Sequence, residues 1–440
     1  MNFSQKQIIV LGIIAVVILV FVLGLLGIIP GFKKENVADP NFPSTKFTME
    51  MWGVGDEYSV YNDIIKAYQQ TFPNAKINYT KFDDADTYQK ELINALAENR
   101  GPDIFMVKNT WAYKHFGKIF PANGLTQTPL ITPQEIRSLF PAVVTKDFVI
   151  NGAIYALPLN MDALALIYNK DVFDSKGIVY PPKTWDEFVS VVSKIKEVDE
   201  NKKISLAASS FGTAKNINHL KDILSVLMFQ SGSIINNPNG EGVSFDDITN
   251  RVVKFYTQFS DPVSPYYTWN ESFDNSLSAF ASRKTSMIFE YYSSLAEIKN
   301  RNPYLNYAVA DLPQIDLKDS SRVSNASQYW GLTVSKQSQY TYPAWHFIRY
   351  LTTTPGVSSI YLEKTAKLPA LLSLIQSNLG GDNDVFVRSA LTAKSWYQAD
   401  DDVIEKIFSN MIGDILSGRI NLQGAVNAAE EEINSLYKNQ

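Results

Sequence analysis

The stretch Asn151–Phe173, NGAIYALPLNMDALALIYNKDVF, decides how the rest of this chain is interpreted. Within it, Ala163–Tyr168 (ALALIY) is a short apolar run between polar residues, which predicts a buried strand. Gly152 precedes this strand and opens a block in which strand and helix patterns alternate. Because a similar block lies upstream, the sequence predicts two α/β units.

The upstream block begins with Phe47–Trp52 (FTMEMW), which is a predicted strand. Apolar residues at helical spacing follow over Val60–Phe72, and Lys76–Thr80 then alternates as a second strand. After another helical pattern, Asp103–Val107 (DIFMV) predicts a short buried strand. Strands that alternate with helices favour parallel pairing through crossover helices, so we expect each unit to contain a mainly parallel sheet flanked by helices.

Further elements follow the second block. Thr184–Glu187 matches a capping box, which predicts that a helix begins there. A helical pattern covers Ile248–Phe259, and Ser286–Phe289 is a predicted strand. The tail Val403–Tyr437 is predicted to be helical with a break near Gly418.

Composition excludes several classes of function. The net charge is −5, so no basic stripe for nucleic acid is predicted. The chain has no cysteine, which removes disulfides, thiolate chemistry and a lipid-modified cysteine anchor. The three histidines (His115, His219 and His346) form no zinc-ligand pair, and neither a P-loop nor a G-x-S-x-G motif is present. We therefore predict no enzyme activity, no metal site and no cofactor.

Two clusters of acidic residues, Asp83-Asp84 and Asp400–Asp402, have alternative interpretations. They could form a glycosidase carboxylate pair or a calcium loop. The interpretation that we favour is that they are solvated loop carboxylates.

The N-terminus contains a long apolar segment. Ile8–Ile29 is 22 residues without a charge, which at about 1.5 Å per residue is long enough to cross a bilayer. No small-residue cleavage site follows it, so we expect a retained membrane anchor rather than a long signal peptide. Lys33–Ser44 is predicted to be an extended tether that leads to the globular part.

Six segments in the expected order resemble the extracellular solute-binding proteins of ABC importers, and specifically the carbohydrate-binding family that includes maltodextrin-binding proteins. Besides Asn151–Phe173, they are Phe47–Glu57 (FTMEMWGVGDE), Gly101–Val107 (GPDIFMV), Pro181–Phe188 (PPKTWDEF), residues 279–294 (AFASRKTSMIFEYYSS) and Tyr342–Leu351. Two departures from the family pattern are Ser282, which replaces a glycine, and Glu290-Tyr291-Tyr292, which replaces G-x-W.

The resemblance implies an α/β, two-lobed fold of the periplasmic-binding-protein type (type II). The apolar run Ile8–Ile29 predicts one N-terminal transmembrane helix before it. Residues 1–44 would be the anchor and tether, residues 45–162 with 330–366 the first lobe, and residues 163–329 with 367–440 the second. The chain would cross between lobes near Met161–Ala163, Tyr329–Leu332 and Ala366–Pro369. A ligand would lie in the cleft between the lobes.

A pyranose has C–H faces, which flat rings cover, and a rim of hydroxyls, which carboxylates and amides bind. The 7 Trp, 23 Tyr and 25 Phe exceed what we expect packing alone to use, which favours such a ligand. The rings assigned to the cleft are Trp52, Trp111, Trp269, Trp330, Trp396, Tyr291 and Tyr292, and the polar residues are Glu57, Asp83, Asn109 and Asp162. Each ring could instead be core, Asp162 could be a hinge hydrogen bond, Glu57 a helix N-terminal charge and Asn109 the start of a turn.

The predicted function is therefore capture of a neutral oligosaccharide by lobe closure and its delivery to ABC permease subunits. The protein would be a monomer with its binding domain extracellular or periplasmic, held to the membrane through residues 8–29. Peptide, polyol-phosphate and polyamine ligands stay open. So do a sensory or adhesive ectodomain and a glycan-active enzyme on the same fold.

Overall fold

The computed structural model describes residues 41–124, 129–237, 242–319 and 321–438. A boundary between two units falls between Phe47 and Thr48, and the architecture below is that of the second unit, which runs to the C-terminus. The predicted anchor, residues 8–29, and most of the predicted tether lie outside the described residues. Every helix within the described ranges is too short or too polar to span a bilayer.

The strands are β1 Phe47–Val54, β2 Ala75–Phe82, β3 Ile104–Lys108, β4 Val149–Ile150, β5 Ala153–Ile154, β6 Leu157–Pro158, β7 Asp162–Asn169, β8 Glu197–Val198, β9 Ile204–Leu206, β10 Met287–Tyr291, β11 Tyr307–Ala310, β12 Ser327–Gln328 and β13 Trp330–Val334. The helices are α1 Tyr58–Thr71, α2 Ala85–Ala97, α3 Ala112–His115, α4 Pro133–Leu139, α5 Ala142–Phe148, α6 Lys170–Ser175, α7 Trp185–Ile195, α8 Leu220–Ser231, α9 Asp247–Thr257, α10 Ser276–Ala281, α11 Leu295–Arg301, α12 Thr341–Thr353, α13 Pro355–Thr365, α14 Leu372–Asn378, α15 Asp384–Ser389, α16 Asp401–Leu416 and α17 Leu422–Lys438. The predicted strands and helices named above are confirmed, with shifts of a few residues at their ends.

Five strands form sheet A, in the order β2-β1-β3-β13-β6. Along β1, Met49 and Met51 are fully buried, whereas Thr48 and Glu50 are exposed. This alternation is typical of a strand with one covered face. β1 and β3 run parallel, with Met51 opposite Ile104. β13 runs antiparallel to both β3 and β6.

Four strands form sheet B around β7, which pairs with β10, β11 and β12. β7 is buried at nearly every position, which is why its sequence is almost continuously apolar. Buried side chains of β7 form one apolar core with Phe188 and Val192 of α7 and with α8, α9 and α16. The aromatic rings of Trp185, Phe188 and Phe289 meet in this core at centroid distances between 5.3 and 5.8 Å.

The prediction of a mainly parallel sheet in each unit is wrong for sheet B, and sheet A is mixed, because β13 is antiparallel to both of its neighbours. All three partners of β7 run antiparallel to it. Strand–helix alternation predicts the pairing of strands that are close in sequence, such as β1 with β2 and β3. The partners of β7 come from residues 287–328, so their direction is set by long connections that the local pattern does not describe.

The three predicted crossing segments lie side by side. The Met161 N–H donates to the Leu368 carbonyl at 3.1 Å, and Asp162 is paired with Gln328. β12 belongs to sheet B and β13 to sheet A, and only Tyr329 separates them. The lobe boundaries themselves stay a prediction.

The start of α7 differs in detail from the predicted capping box. The Thr184 hydroxyl accepts the Glu187 N–H at 3.2 Å, as expected. The Glu187 carboxylate, however, accepts the N–H of Lys183 at 2.7 Å rather than that of Thr184. The helix begins where predicted because either arrangement satisfies a free N–H group.

Gly331 lies where β13 passes between β3 and β6, and a Cβ there would be 2.8 Å from the Phe148 ring and 2.9 Å from the Leu157 carbonyl oxygen. We expect Gly331→Ala to lower the free energy of unfolding by about 1–3 kcal/mol, because strands and ring must move apart. Urea denaturation measures this. Gly356→Ala is the matched control, since nothing lies within 4 Å of its Cβ position, and an equal loss in both variants would contradict the prediction.

Candidate functional site

The loop that follows β3 lies against the N-terminus of α16. β3 ends at Lys108, and α3 begins at Ala112, so the residues between them project from the edge of sheet A. Trp111 is buried, and its ring meets that of Trp330 edge-on at 5.1 Å. The loop thereby presents a cation, a hydroxyl and an indole N–H toward one helix end.

Asp401 is the acceptor for all three groups. Its carboxylate receives hydrogen bonds from Lys108 Nζ at 3.0 Å, Thr110 Oγ1 at 2.7 Å and Trp111 Nε1 at 3.1 Å. Lys221 Nζ of α8 lies 4.0 Å from it on the other side. Asp401 thus joins the loop after β3 to two helices that pack on sheet B.

Burial alone would raise the pKa of Asp401, but the charges of Lys108 and Lys221 outweigh it and hold that pKa below its usual range. The carboxylate is 3% exposed. The interpretation of Asp400–Asp402 as solvated loop carboxylates is therefore wrong for Asp401, because long-range partners bury it. Its neighbour Asp400 pairs with Lys114 at 2.5 Å, and Asp402 is exposed.

A second carboxylate, Asp147, lies on the same side of the loop. It accepts hydrogen bonds from Asn109 Nδ2 at 3.1 Å, from the Tyr329 hydroxyl at 2.5 Å and from the Ser395 hydroxyl. Burial raises the pKa of Asp147 to about 6, although these hydrogen bonds act to lower it. Asp147 therefore ties together α5, the residue between β12 and β13, and the segment before α16.

Three adjoining cavities surround Trp396. The smallest, of about 30 Å³, lies among Lys108, Asp222 and Gln328. The second, of about 400 Å³, is walled by Tyr113 and Tyr397. The third, of about 550 Å³, is lined by Lys146, Arg322 and Lys394 among others. It shares Lys146 and Trp396 with the second. We call the second and third the tyrosine cavity and the lysine cavity.

Polar groups without a partner line these cavities. Gln398 is among the residues that line the two smaller cavities and Ser233 among those that line the lysine cavity, and both residues are 6% exposed. Neither Gln398 Oε1 nor Ser233 Oγ has a hydrogen-bond partner among the described residues. Thr145, which lines the tyrosine cavity, also has a buried hydroxyl oxygen without a hydrogen-bond partner among the described residues. Since buried polar groups are normally hydrogen-bonded, these atoms are unsatisfied positions in the walls of the cavities.

Several predicted rings form a connected row along sheet A. Trp52 packs on Phe82 at 5.2 Å, Phe82 on Tyr88 at 5.3 Å, and Tyr88 on Trp330 at 6.2 Å. Trp330 then meets Trp111. Trp52 and Trp330 are half-buried, so each exposes part of a ring at the end of the row.

The predicted polar residues are placed differently from one another. Asn109 lies in the site and donates to Asp147. Glu57 and Asp83 are exposed and both bind Lys81, at 2.6 and 2.8 Å, apart from the three cavities. Asp162 accepts the N–H groups of Tyr292 and Ser293, each at 2.9 Å, and is not among the lining residues of the three cavities.

The remaining rings divide between site and core. Trp396 is 5% exposed, donates to Ser225 Oγ at 2.9 Å and lines all three cavities. Trp269 is fully buried, stacks on Phe273 at 4.4 Å and donates to Thr213. Trp269 is therefore a core ring in this structure, because its loop folds inward, and we leave it out of the candidate site.

The two tyrosines in the segment that replaces G-x-W lie in different environments. The buried Tyr291 donates its hydroxyl to Asp222 at 2.9 Å, while the half-buried Tyr292 packs edge-on against Phe386. The preceding Glu290 is fully buried, 2.9 Å from His219 Nε2. Burial alone would lower the pKa of His219, but the hydrogen bond and charge of Glu290 raise it. The departure from the family pattern at Glu290 therefore corresponds to a buried hydrogen bond between Glu290 and His219.

Sequence reasoning missed the charged residues of the site. Asp147, Lys221, Asp222 and Lys394 carry no local motif and come together only through tertiary contacts. Tyr113 could have been found, since it lies two residues after Trp111, in the short helix α3 that follows the loop.

Comparison with known proteins adds the following findings. Residues 52–357 match the family described as bacterial extracellular solute-binding protein. The maltotriose-binding protein of Pyrococcus abyssi is 23% identical over 317 residues, which is 69% of this chain and 61% of that protein, so the match spans less than two thirds of the relative. The multiple sugar-binding protein of Streptococcus mutans is 23% identical over 77% of this chain and 80% of its own length.

Among solved structures, the cyclic alpha-maltosyl-1,6-maltose binding protein from Arthrobacter globiformis superposes with a TM-score of 0.73. The match covers 90% of this chain and 100% of that chain at 17% identity. This likeness establishes the two-lobed α/β fold of periplasmic binding proteins. At that identity it carries no information about the ligand.

The contacts of Asp401 give a direct test. In Asp401→Asn the charges of Lys108 and Lys221 are left without their counter-ion, so we expect the free energy of unfolding at pH 7 to fall by up to about 3–5 kcal/mol. Because the folded-state pKa of Asp401 is lowered, its contribution is present above about pH 4 and is lost as the pH falls below that.

Chemical denaturation at pH 7 measures the difference. Asp402→Asn is the matched control, since Asp402 is exposed on the same helix turn, and its change should stay within about 0.5 kcal/mol. Equal stability of the two variants would show that the Asp401 contacts do not hold in solution.

Asp147 predicts an opposite dependence on pH. Its pKa is about 6 in the folded protein against about 3.9 in the unfolded chain, so folding favours its protonated form. The stabilisation is complete below about pH 4 and is lost as the pH rises through 6. Relative to Asp147→Asn, the parent should therefore lose stability between pH 4 and 7, by at most about 3 kcal/mol because the carboxyl is partly exposed.

Denaturation curves of both proteins across that range measure this difference. Asp382→Asn, at an exposed carboxylate, serves as the control and should track the parent at every pH. A difference between parent and Asp147→Asn that does not vary with pH would contradict the raised pKa.

Proposed function

Because the chain belongs to the bacterial extracellular solute-binding protein family, we propose that it captures a carbohydrate in the cavities around Trp396 and releases it to an ABC permease. The observation that carries this proposal is the tyrosine cavity, where rings from the two sides of the site meet. Tyr113, next to sheet A, packs on Tyr397, before α16, with ring centroids 3.5 Å apart. The relatives named for maltotriose and multiple sugars support a sugar as the ligand class.

The lining of the cavities has the mixture of groups that sugar binding requires. The half-buried Tyr113 and Tyr397 offer apolar ring surface for the C–H faces of pyranose rings, and the nearly buried Trp396 lines the same cavity. Asn109 and Gln398 offer amides, and Gln398 Oε1 has no partner among the described residues. A hydroxyl-rich ligand would supply the missing hydrogen bonds.

Capture would proceed by closure of the two lobes about the segments at Met161, Tyr329 and Leu368. The Asp401 and Asp147 contacts join the loop after β3 to residues on the other side of the site, so they are made only when that distance is short. A ligand that also touches both sides would add to them and shift the population toward the closed form. No bond of the ligand is made or broken.

We also propose that residues 8–29 hold the binding domain at the outer membrane surface and that the permease lies in the same membrane. The uninterrupted apolar run Ile8–Ile29 supports this. Intact-mass analysis of protein extracted from membranes should find that segment present. A mature chain that starts near residue 30–40 would contradict a retained anchor.

A thermal-shift screen of the full chain in detergent against mono- and oligosaccharides tests the proposed ligand class. A sugar at 100 times its Kd stabilises the folded form by about 2.7 kcal/mol, which is a readily measured increase in unfolding temperature. Small-angle scattering with the best ligand should then give a smaller radius of gyration than without it. An absence of any shift across the panel would contradict carbohydrate capture.

Removal of one ring from the tyrosine cavity should weaken binding. We expect Tyr113→Ala to raise the Kd of the best sugar by about 5- to 100-fold, which corresponds to about 1–3 kcal/mol of lost ring contact. Calorimetric titration measures this change. Tyr304→Ala, which removes a ring that is 87% exposed and outside the cavities, should leave the Kd unchanged.

A further inference from the structure

The lysine cavity has an unusual balance of charge. Among the described residues, its lining includes Lys146, Arg322 and Lys394 and no carboxylate. The chain as a whole carries a net charge of −5, so this balance does not follow from the composition. The same cavity has Trp396 and Phe229 as its flat walls.

The three cations differ in how far they are neutralised. Arg322 pairs with Asp319 at 3.2 Å, which does not line the cavity. Lys394 Nζ donates to the Ser321 carbonyl at 2.9 Å, and burial lowers the pKa of Lys394 although Asp319 opposes it. Lys146 makes no ion pair within 4.0 Å in the described part of the chain; its nearest acidic neighbour in sequence is Asp147, which instead binds Asn109, Tyr329 and Ser395.

The remaining polar groups of the cavity suit the same ligand. Ser233 Oγ is buried and without a partner in the described residues, and it can donate to an anion. Asn236 already directs its amide nitrogen to the Tyr397 carbonyl at 3.0 Å, so it fixes the wall rather than the ligand. Donors therefore predominate over acceptors at this end of the site.

We propose that the ligand is an oligosaccharide with an anionic group, a carboxylate or a sulfate, which lies in the lysine cavity while its sugar rings extend over Trp396 into the tyrosine cavity. This inference rests on the proposed function, because it identifies the class of sugar that the same site binds. It replaces the prediction of a neutral ligand. That prediction considered only the loops that carry tryptophans, whereas the cations come from α5 and from segments before β12 and α16.

The cations act in two ways. An anion in the cavity would add a favourable charge interaction with the partly desolvated Lys394. Lys146 and Arg322 are exposed at the rim, so their attraction is screened by salt. Affinity for the anionic ligand should therefore fall as ionic strength rises, and affinity for a neutral sugar should not.

Calorimetric titration of the full chain with matched probes tests the inference. The probes are trigalacturonate and a hyaluronan tetrasaccharide as carboxylates, neocarrabiose 4-sulfate as a sulfate without a carboxylate, and maltotriose and cellotriose as neutral sugars. We expect at least one anionic probe to bind at least 10-fold more tightly than either neutral sugar in 50 mM salt. We also expect that preference to shrink at 500 mM salt. Which anionic probe binds distinguishes the carboxylate from the sulfate.

Two variants connect the preference to the cavity. Lys146→Gln and Arg322→Gln should each raise the Kd of the anionic probe by about 3- to 5-fold, the range of a partly exposed ion pair, with no effect on a neutral probe. Lys299→Gln is the matched control, because Lys299 is exposed on α11 outside the three cavities. Circular dichroism confirms that each variant is folded.

The outcomes separate this inference from the proposed function. Neutral sugars that bind as tightly as the anionic probes would overturn the inference and leave carbohydrate capture intact. Anionic binding that Lys146→Gln, Arg322→Gln and Lys299→Gln weaken equally would overturn the location in the lysine cavity. Binding of none of the five probes would contradict both proposals.

Discussion

The carboxylate of Asp401 is the interaction on which the rest of the site depends. It is almost completely buried, yet it stays ionised because a lysine ammonium, a hydroxyl and an indole N–H from one loop point at it and a second lysine lies behind it. A buried charge is costly unless it is paired and hydrogen-bonded, so the loop after β3 and the start of α16 must stay together in this conformation. The cavities around Trp396 have their shape because that distance is fixed.

Much of the fold could be predicted because its signals are local. Alternating burial in β1, continuous apolarity in β7 and the break near Gly418 are properties of short segments, and the structure has each element in place. The direction of the strands beside β7 could not be predicted. Their partners are separated by more than a hundred residues, and pairing at that range depends on how helices pack between them.

The candidate site was predicted less completely, for a related reason. Asn109, Trp111 and Trp396 were chosen because a polar or aromatic residue in a loop next to a strand or helix end is visible in the sequence. Trp269 met the same criterion and is core. The charged residues that set the electrostatics of the site, such as Lys146 and Lys394, look like ordinary surface lysines until the chain folds. An aromatic residue can be recognised as a candidate by its residue type, whereas the role of a cation depends on which residues surround it in the folded chain.

Tyr329 is the only residue between a strand of sheet B and a strand of sheet A, and its hydroxyl is held by Asp147. Any rotation of one lobe against the other would therefore be taken up by a few backbone torsions at this hinge. Substitutions at the hinge can change the fraction of molecules in the open form without changing any residue that contacts the ligand. Apparent affinity scales with the fraction of molecules that are competent to bind. Relatives with identical pockets could therefore differ in retention of their cargo through a single residue at this joint.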